Sequence, residues 1–237
     1  MAQPHAAWAT VVLDRVQLSG DEVVLDAGCG SGKVTEQLLA RLPRGRVLGV
    51  DASMRMLAEA RVRLRDHLDR VELLHADLTR PLPLGVAVDA VVSSATFHWI
   101  ADHRALFINL AAILRPGGQL SVRCGGAGNI ASVTQALTDL GCAGADPWHF
   151  ATPEAGTADL AAAGFVDVRA WLTGAPVRLA THELESYLAT VVLGAHLDDV
   201  PLAERADFVR TVAERLPSST IDYVRLNLVA RLSGVSG

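Results

Sequence analysis

Short apolar runs alternate with helix-like segments along the first half of the chain. Each run is rich in β-branched residues and closes on Gly, Asp or Ser, which is typical of a buried strand followed by a turn. The runs cover residues 23–28, 46–51, 71–77, 87–94 and 119–124, and the helix-like segments lie near 33–41, 53–68 and 101–114. Repeated strand–helix–strand units predict a mostly parallel sheet with helices on both faces.

Residues that cap or terminate helices support this division. Ser53 is placed to cap the second helix, Pro116-Gly117-Gly118 is expected to stop the third, and His75 falls inside the third strand, where we expect it to be buried. A further helix, from about Ala6 to Val16, is predicted to pack against this unit.

The second half of the chain follows a looser pattern. Helical patterns cover residues 129–140, 152–163, 181–193 and 202–216, a strand is predicted near 165–172, and the closing segment 221–232 alternates as an edge or antiparallel strand does. The fold class predicted is therefore α/β: a Rossmann-like, doubly wound, mostly parallel seven-stranded sheet with a helical insertion before the last strand.

Composition and charge exclude several classes of protein. Half of the 237 residues are hydrophobic and a fifth are charged, which is typical of a globular chain. The net charge of -5 and the scattered arginines argue against a nucleic-acid partner, and the apolar runs are too short for a membrane span. We expect no secretory signal, because the first residues lack a basic region followed by an apolar one, and the three cysteines lack CxxC spacing. We expect a cytoplasmic protein.

A glycine-rich turn follows the first strand and precedes a helix. Gly28, Gly30 and Gly32 let the backbone approach a ligand, and the helix N-terminus favours an anionic group. A phosphate-binding P-loop fails twice, because Ala27 replaces its first glycine and Val34 its hydroxyl. A dinucleotide fingerprint is a weaker alternative, since the third glycine comes one residue early. The spacing after Asp26 fits S-adenosyl-L-methionine (SAM).

Acidic residues close the next two strands. Asp51 lies about 20 residues beyond the turn, where an acid can bind ribose hydroxyls. Asp77 and Leu78 close the third strand, where an adenine amino group can be met. All these positions fall at the carboxyl ends of strands, on the crevice side of the sheet, which predicts one shared cofactor site.

The ordered motifs resemble those of the class I SAM-dependent methyltransferases. The matching segments are VLDAGCGSG, GVDAS, ADL, SSATFHWIADH and LRPGGQL, which together cover residues 21 to 124. Within the class, TFHWIADH, the TPE…AGF segment and DYVRLNL look most like the trans-aconitate methyltransferase-like group, although that group commonly has Gln where His98 stands.

The resemblance implies a set of cofactor-binding residues. Asp26, Gly28 and Gly30 would surround the methionine part of SAM, Asp51 would bind the ribose, Met54 would lie against the adenine, and Asp77 and Leu78 would contact the adenine edge. The implied set is completed by Cys29, Gly32, Ala52, Ser93 and Ser94. No metal is expected, because the histidines lack metal-ligand spacing and HELES lacks the second His of HExxH.

The methyl acceptor must bind beyond the fourth strand. His98 is the candidate catalytic residue, with a hydrogen-bonded packing role as its alternative, and Trp99 is expected to pack beneath the substrate or against the next helix. The other residues predicted to line the acceptor pocket are Trp8, Arg123, Tyr187, Tyr223 and Arg225, with Arg178 and Trp148 as further candidates.

These features predict a SAM-dependent methyltransferase acting on a small molecule, with S-adenosyl-L-homocysteine (SAH) as cofactor product. O-methylation of a carboxylate is favoured, since a carboxylate needs no base. The alternatives are a SAM-binding protein without methyl transfer, cyclase-like or regulatory, and a nicotinamide-dependent oxidoreductase. We expect one domain over residues 1–237, monomeric or homodimeric, with a cofactor-binding half (1–124) and a substrate-shaping half (125–237) that carries a lid near 181–216.

Overall fold

A computed structural model describes residues 10–142 and 147–234 of the protein. Its strands are β1 (Val23–Ala27), β2 (Arg46–Asp51), β3 (Val71–His75), β4 (Val88–Ser94), β5 (Leu114–Gly125), β6 (Phe165–Gly174), β7 (Val177–Arg178), β8 (Thr220–Ile221) and β9 (Val224–Leu232). Its helices are α1 (Lys33–Arg41), α2 (Met54–Arg63), α3 (His103–Ile113), α4 (Ala131–Asp139), α5 (Pro153–Ala162), α6 (Leu184–Tyr187), α7 (Gly194–Asp198) and α8 (Arg205–Arg215). Residues 10–13 are helical too and are the described part of the predicted N-terminal helix.

The main sheet has the order β3-β2-β1-β4-β5-β9-β6. Strands β1 to β5 pair in parallel, whereas β9 is antiparallel to both of its neighbours. The first strand, β1, lies near the centre of the sheet, and β2 and β3 are added on one side of it. The chain then crosses to β4 on the other side of β1, so the strand order reverses between β1 and β4. Such a switch point leaves a crevice outside the carboxyl ends of the strands. The predicted Rossmann-like, doubly wound sheet of seven strands is confirmed, with β9 antiparallel and β6 at the edge.

Apolar clusters cover both faces of the sheet. Neighbouring residues of β1 point in opposite directions: Val24 packs with the layer of residues 10–13, α1 and α2, and Leu25 packs with the layer of α3 and α5. Because both faces are buried, the parallel strands have the nearly continuous apolar sequences by which they were predicted.

A third apolar cluster lies in the second half of the chain. It joins α4 to the helices between β7 and β8, through Leu137, Leu188, Leu197 and Val212. The predicted helix over 181–193 is divided here into a 3-10 turn (Thr181–Glu183), α6 and a π-helical turn (Leu188–Val192). None of the helices in the described residues is both long and apolar enough to cross a bilayer.

Some local predictions differ from the structure. The Ser53 side chain caps α2 as predicted, accepting a hydrogen bond from the Met56 backbone N–H. The prediction of a buried His75 is wrong: it ends β3 and is exposed, with its Nε2 3.0 Å from the Ala52 carbonyl oxygen. The prediction that Pro116-Gly117-Gly118 stops α3 is wrong. This helix already ends at Ile113, and the Pro116-Gly117-Gly118 segment lies inside β5.

Two neighbouring residues of α3 test the core packing. Phe107 is fully buried between the sheet and α3, whereas Ile108 is 48% exposed. We expect Phe107→Ala to lower the free energy of unfolding by about 3–5 kcal/mol, because it removes buried apolar contacts and leaves a cavity. Ile108→Ala should change it by less than about 1 kcal/mol. Urea unfolding of both variants measures the difference, and equal losses would contradict this packing.

Candidate functional site

A cavity of about 1060 Å³ opens at the carboxyl ends of β1, β2, β3 and β4, at the switch point of the sheet. Most of the predicted cofactor-binding residues line it, namely Gly28, Cys29, Gly30, Asp51, Ala52, Asp77, Leu78 and Ser94. The topology therefore brings together residues that the sequence spreads over four strand ends. We call this the cofactor cavity.

The glycine turn places bare backbone beside the cofactor cavity. A Cβ on Gly28 would lie 2.2 Å from the Thr96 side chain, so no other residue fits there. Gly30 has a φ of +52° and open space where a side chain would be. Its positive φ and its open position leave room for a ligand to approach the main chain closely.

Asp51 is held in one orientation at the end of β2. Its Oδ2 accepts a hydrogen bond from the Gly30 N–H and its Oδ1 accepts one from the Ser53 N–H, both at 2.8 Å. Each carboxylate oxygen can accept a further hydrogen bond. The residue thus fits the two hydroxyls of a ribose.

Asp26 lies beneath the glycine turn, fully buried, and does not line the cavity. Its Oδ2 accepts a hydrogen bond from the Thr35 hydroxyl at 2.7 Å, while Oδ1 makes none within the described chain. Burial, together with the nearby Asp51 carboxylate, raises the pKa of Asp26 to about 7. A buried carboxylate oxygen without a donor fits an ordered water that links it to an ammonium group such as that of SAM.

Three further predicted residues lie outside the cofactor cavity. Gly32 caps α1 with a φ of +79°, and the Ser93 hydroxyl donates to the Ala27 carbonyl oxygen, which ties β4 to β1. Met54 is 59% exposed at the first position of α2. Met56 lines the cavity instead, because two residues along a helix correspond to a rotation of about 200°.

A second cavity, of about 130 Å³, adjoins the cofactor cavity. Ala95 and Trp99 line both, so they form the junction between the two. The remaining lining residues are His98, Asn129, Ile130, Trp148, Phe150, Val191, Val192, Tyr223 and Arg225. Aromatic rings dominate its walls, and none of the described lining residues is acidic.

The two junction residues differ in kind: Ala95 is unusual in its backbone conformation, and Trp99 is unusual for an aromatic residue in its exposure. Ala95 has a φ of +61°, a region that residues other than glycine rarely adopt, and its N–H donates to the Arg123 carbonyl oxygen at 2.8 Å. Trp99 is 46% exposed, and its ring centroid lies 6.1 Å from that of Trp148. Trp99 is therefore a wall between the cavities rather than a core residue.

His98 lies in the second cavity and not in the cofactor cavity. Its ring is only 8% exposed and stacks on Phe150, with 6.1 Å between the ring centroids. The Gly125 N–H donates to its Nδ1 at 3.3 Å. Burial, with smaller contributions from the positive charges of Arg225 and His103, lowers the pKa of His98 to about 3. The imidazole is therefore neutral at physiological pH.

Arg225 is the charged side chain of the second cavity. Its guanidinium carbon lies 4.2 Å from the centre of the Tyr223 ring, and the Tyr223 hydroxyl is 3.1 Å from that of Tyr187. Burial lowers the pKa of Arg225 to about 10, so the side chain stays charged at neutral pH. Tyr187 supports this pair from outside the cavity.

The other predicted acceptor residues have different positions. Arg123 is buried in β5 and lines neither cavity, and Arg178 is exposed in β7. Trp8 lies outside the described residues. Asn129 and Phe150 also line the second cavity, although no feature of the sequence marks them: Asn129 lies in the turn just before α4, and Phe150 lies in the irregular segment before α5.

The raised pKa of Asp26 has a consequence for stability. The folded chain binds the Asp26 proton more tightly than the unfolded chain, whose carboxyl has an ordinary pKa of 3.8. Relative to Asp26→Asn, the free energy of unfolding of the ligand-free wild type should therefore fall as pH rises from about 4 to about 7. At about 1.4 kcal/mol per pKa unit, this decrease in the free energy of unfolding is at most about 4 kcal/mol.

Urea unfolding at pH 5 and pH 8 measures this difference. The exposed Asp66 provides the control, because Asp66→Asn should show no such trend. A constant difference between wild type and Asp26→Asn at the two pH values would show that the carboxyl has an ordinary pKa.

Comparison with known proteins agrees with this geometry. Residues 24–118 match a family described as methyltransferase domain. Trans-aconitate 2-methyltransferase of Azoarcus sp. (strain BH72) is 40% identical over 112 residues, which are 47% of this chain and 42% of that protein. The enzyme of that name from Escherichia coli (strain K12 / DH10B) is 38% identical over 115 residues, 48% of this chain and 44% of that protein. The matched segment thus spans less than half the length of these relatives.

Solved structures share the fold over nearly the whole chain. The YcgJ protein of Bacillus subtilis has a TM-score of 0.72 at 15% identity, with 98% of this chain and 100% of that chain covered. The [4+2]-cyclase SpnF has a TM-score of 0.65 at 20% identity, with 96% and 80% covered. The ordered motifs, the sheet order and the match over residues 24–118 are thus similar to those of the class I SAM-dependent methyltransferases.

Proposed function

We propose that this protein transfers the methyl group of SAM to a carboxylate oxygen of a small acid. Arg225 is the observation that carries the acceptor class. It supplies a buried guanidinium to a cavity that adjoins the cofactor cavity and whose described walls hold no acidic side chain. A guanidinium matches the planar geometry and the charge of a carboxylate.

The cofactor cavity supports the first half of this proposal. Bound SAM would supply an electrophilic methyl group on its sulfonium sulfur, and loss of this methyl group converts SAM to SAH. On the protein side, Asp51 offers two fixed acceptor oxygens for the ribose, and Gly30 leaves the main chain open to a close contact. Ala95 and Trp99 border both cavities, so a ligand in one is adjacent to a ligand in the other.

The absence of a strong base among the second cavity's described residues fits a carboxylate acceptor. His98 has a pKa of about 3 and is a poor proton acceptor. A carboxylic acid is already ionised at neutral pH, so the protein needs only to hold it in line with the methyl group and to exclude water. A phenol or an amine would gain from a base.

The names of the curated relatives and the position of the second half of the chain support further parts of the proposal. The curated relatives are named for trans-aconitate, a carboxylic acid, which supports an acid as the acceptor. We further propose that residues 1–237 act as one methyltransferase domain, monomeric or homodimeric, in the cytoplasm. Residues 125–237 would shape the acceptor site, with the helical segment 181–216 as its cover, since Val191 and Val192 line the second cavity.

Methyl ester formation tests the function directly. The protein is incubated with SAM and a panel of small mono-, di- and tricarboxylic acids, and products are analysed by mass spectrometry for the gain of one methyl group. The expected product loses that methyl in mild alkali, as an ester does. An alkali-stable product would overturn the carboxylate assignment. SAM binding without any methylated product would favour a non-transferring relative, and a change in NADPH fluorescence on addition of the protein would favour an oxidoreductase.

Asp51→Ala tests the cofactor assignment. Loss of two hydrogen bonds to a charged acceptor should weaken SAH binding at least about 100-fold, as measured by calorimetry. The exposed Asp66→Ala serves as control and should bind SAH as the wild type does. Undetectable SAH binding by the wild type, or equal SAH binding by Asp51→Ala, would contradict the cofactor assignment.

Arg225→Met tests the acceptor class, because Met keeps the apolar packing against Tyr223 and removes the charge. The KM for the acid should rise about 10- to 100-fold, the range expected for a lost charge-assisted hydrogen bond, while SAH affinity stays within about threefold. The exposed Arg178→Met is the matched control and should leave both constants unchanged. An unaltered KM in Arg225→Met would contradict the proposed contact.

A further inference from the structure

His98 and Arg225 meet around one glycine. The Gly125 N–H donates to the His98 Nδ1, and Gly125 is paired with Arg225 across the antiparallel strands β5 and β9. Both side chains line the second cavity. A ligand small enough for a cavity of about 130 Å³ therefore lies within reach of both.

The contact with Gly125 decides which ring nitrogen of His98 carries the proton. A backbone N–H can only donate, so the Nδ1 that receives it holds a lone pair. In a neutral imidazole, the proton then lies on Nε2. The pKa of about 3 keeps the ring neutral across the physiological range.

The ring cannot easily leave this orientation. It stacks on Phe150, with an interplanar angle of 27°, and its centroid lies 5.2 Å from that of the Trp99 ring. The His98 carbonyl oxygen also accepts a hydrogen bond from the His149 N–H at 2.8 Å, which fixes the backbone. Among the hydrogen bonds of the described residues, the ring takes part in the one that its Nδ1 accepts from Gly125. Its Nε2–H is therefore the donor group of a side chain that lines the second cavity.

We propose that His98 binds the acceptor acid as a fixed Nε2–H donor, alongside Arg225, and does not act as a general base. The inference rests on the function proposed above and names the second group that holds the carboxylate. One imidazole N–H and one guanidinium then hold the acid between them. With its position fixed at two points, a carboxylate oxygen can be aimed through the junction at Ala95 and Trp99.

Two substitutions at this position separate the roles. Gln has an amide N–H2 that can replace the imidazole donor but cannot act as a base, whereas Leu supplies neither. We expect His98→Leu to raise the KM for the acid about tenfold or more, and His98→Gln to stay within about threefold of the wild type. The exposed His182→Leu is the control. Equal losses of kcat in His98→Gln and His98→Leu, with the KM unchanged, would overturn the proposal.

The pH profile supplies a readout that packing alone would not move. The charged and titratable groups around His98 include Arg225 and Tyr223, which line the same cavity, His103 on α3, and the Cys124 thiol on β5, which accepts a hydrogen bond from the His98 backbone. Burial opposes protonation of the ring, with smaller contributions from Arg225 and His103, so its pKa of about 3 lies well below pH 5. We expect no acid limb in kcat between pH 5.5 and 8 that depends on His98. A limb that is present in the wild type and absent in His98→Gln would identify a base and overturn the proposal.

The tautomer can be measured without any acceptor. Long-range proton–nitrogen NMR spectra of the cofactor-free protein, with His98 assigned by its absence in His98→Gln, should show a protonated Nε2 and an unprotonated Nδ1 from pH 5.5 to 8. A protonated Nδ1, or titration near pH 6.5, would refute the fixed donor. Because this result does not depend on turnover, it distinguishes failure of the His98 assignment from failure of the carboxylate methyltransferase function.

Discussion

Gly28 occupies a space that no side chain can enter, because Thr96 lies against it. The Thr96 hydroxyl donates to the Gly28 carbonyl oxygen at 3.1 Å, which joins the turn after β1 to the segment after β4. These two strands flank the switch point of the sheet. The cofactor cavity, the strained Ala95 and the junction with the second cavity all depend on this close approach. A Cβ at position 28 would force the two strand ends apart.

This packing gives the two cavities different physical characters. The cofactor cavity is built from backbone groups and from Asp51, whose carboxylate is held by two main-chain N–H donors. The second cavity is built from side chains, with aromatic rings around Arg225 and His98. Charge and hydrogen-bond direction thus differ between the two cavities: the carboxylate of Asp51 lines the cofactor cavity, whereas the guanidinium of Arg225 lines the second.

The cofactor half of the molecule could be predicted from the sequence because its signals are local. Strand runs, the glycine spacing and Asp51 each stand at a strand end, and parallel topology brings such ends together. The second cavity could not be predicted in this way. Asn129 and Phe150 reach it from irregular segments, and the positive φ of Ala95 leaves no trace in residue type. The resemblance implied Met54, whereas Met56 lines the cavity, because the direction of a helical side chain depends on where the helix begins.

The π-helical turn at Leu188–Val192 determines the shape of part of the second cavity. A π turn holds one residue more than an α turn, and two of its residues, Val191 and Val192, form part of the cavity wall. Loss of one residue before Val191 would rotate Val191 and Val192 by about 100° about the helix axis. The sheet and the cofactor cavity would keep their sequence and contacts. A change in length at this turn would therefore reshape the second cavity and leave the cofactor cavity as it is.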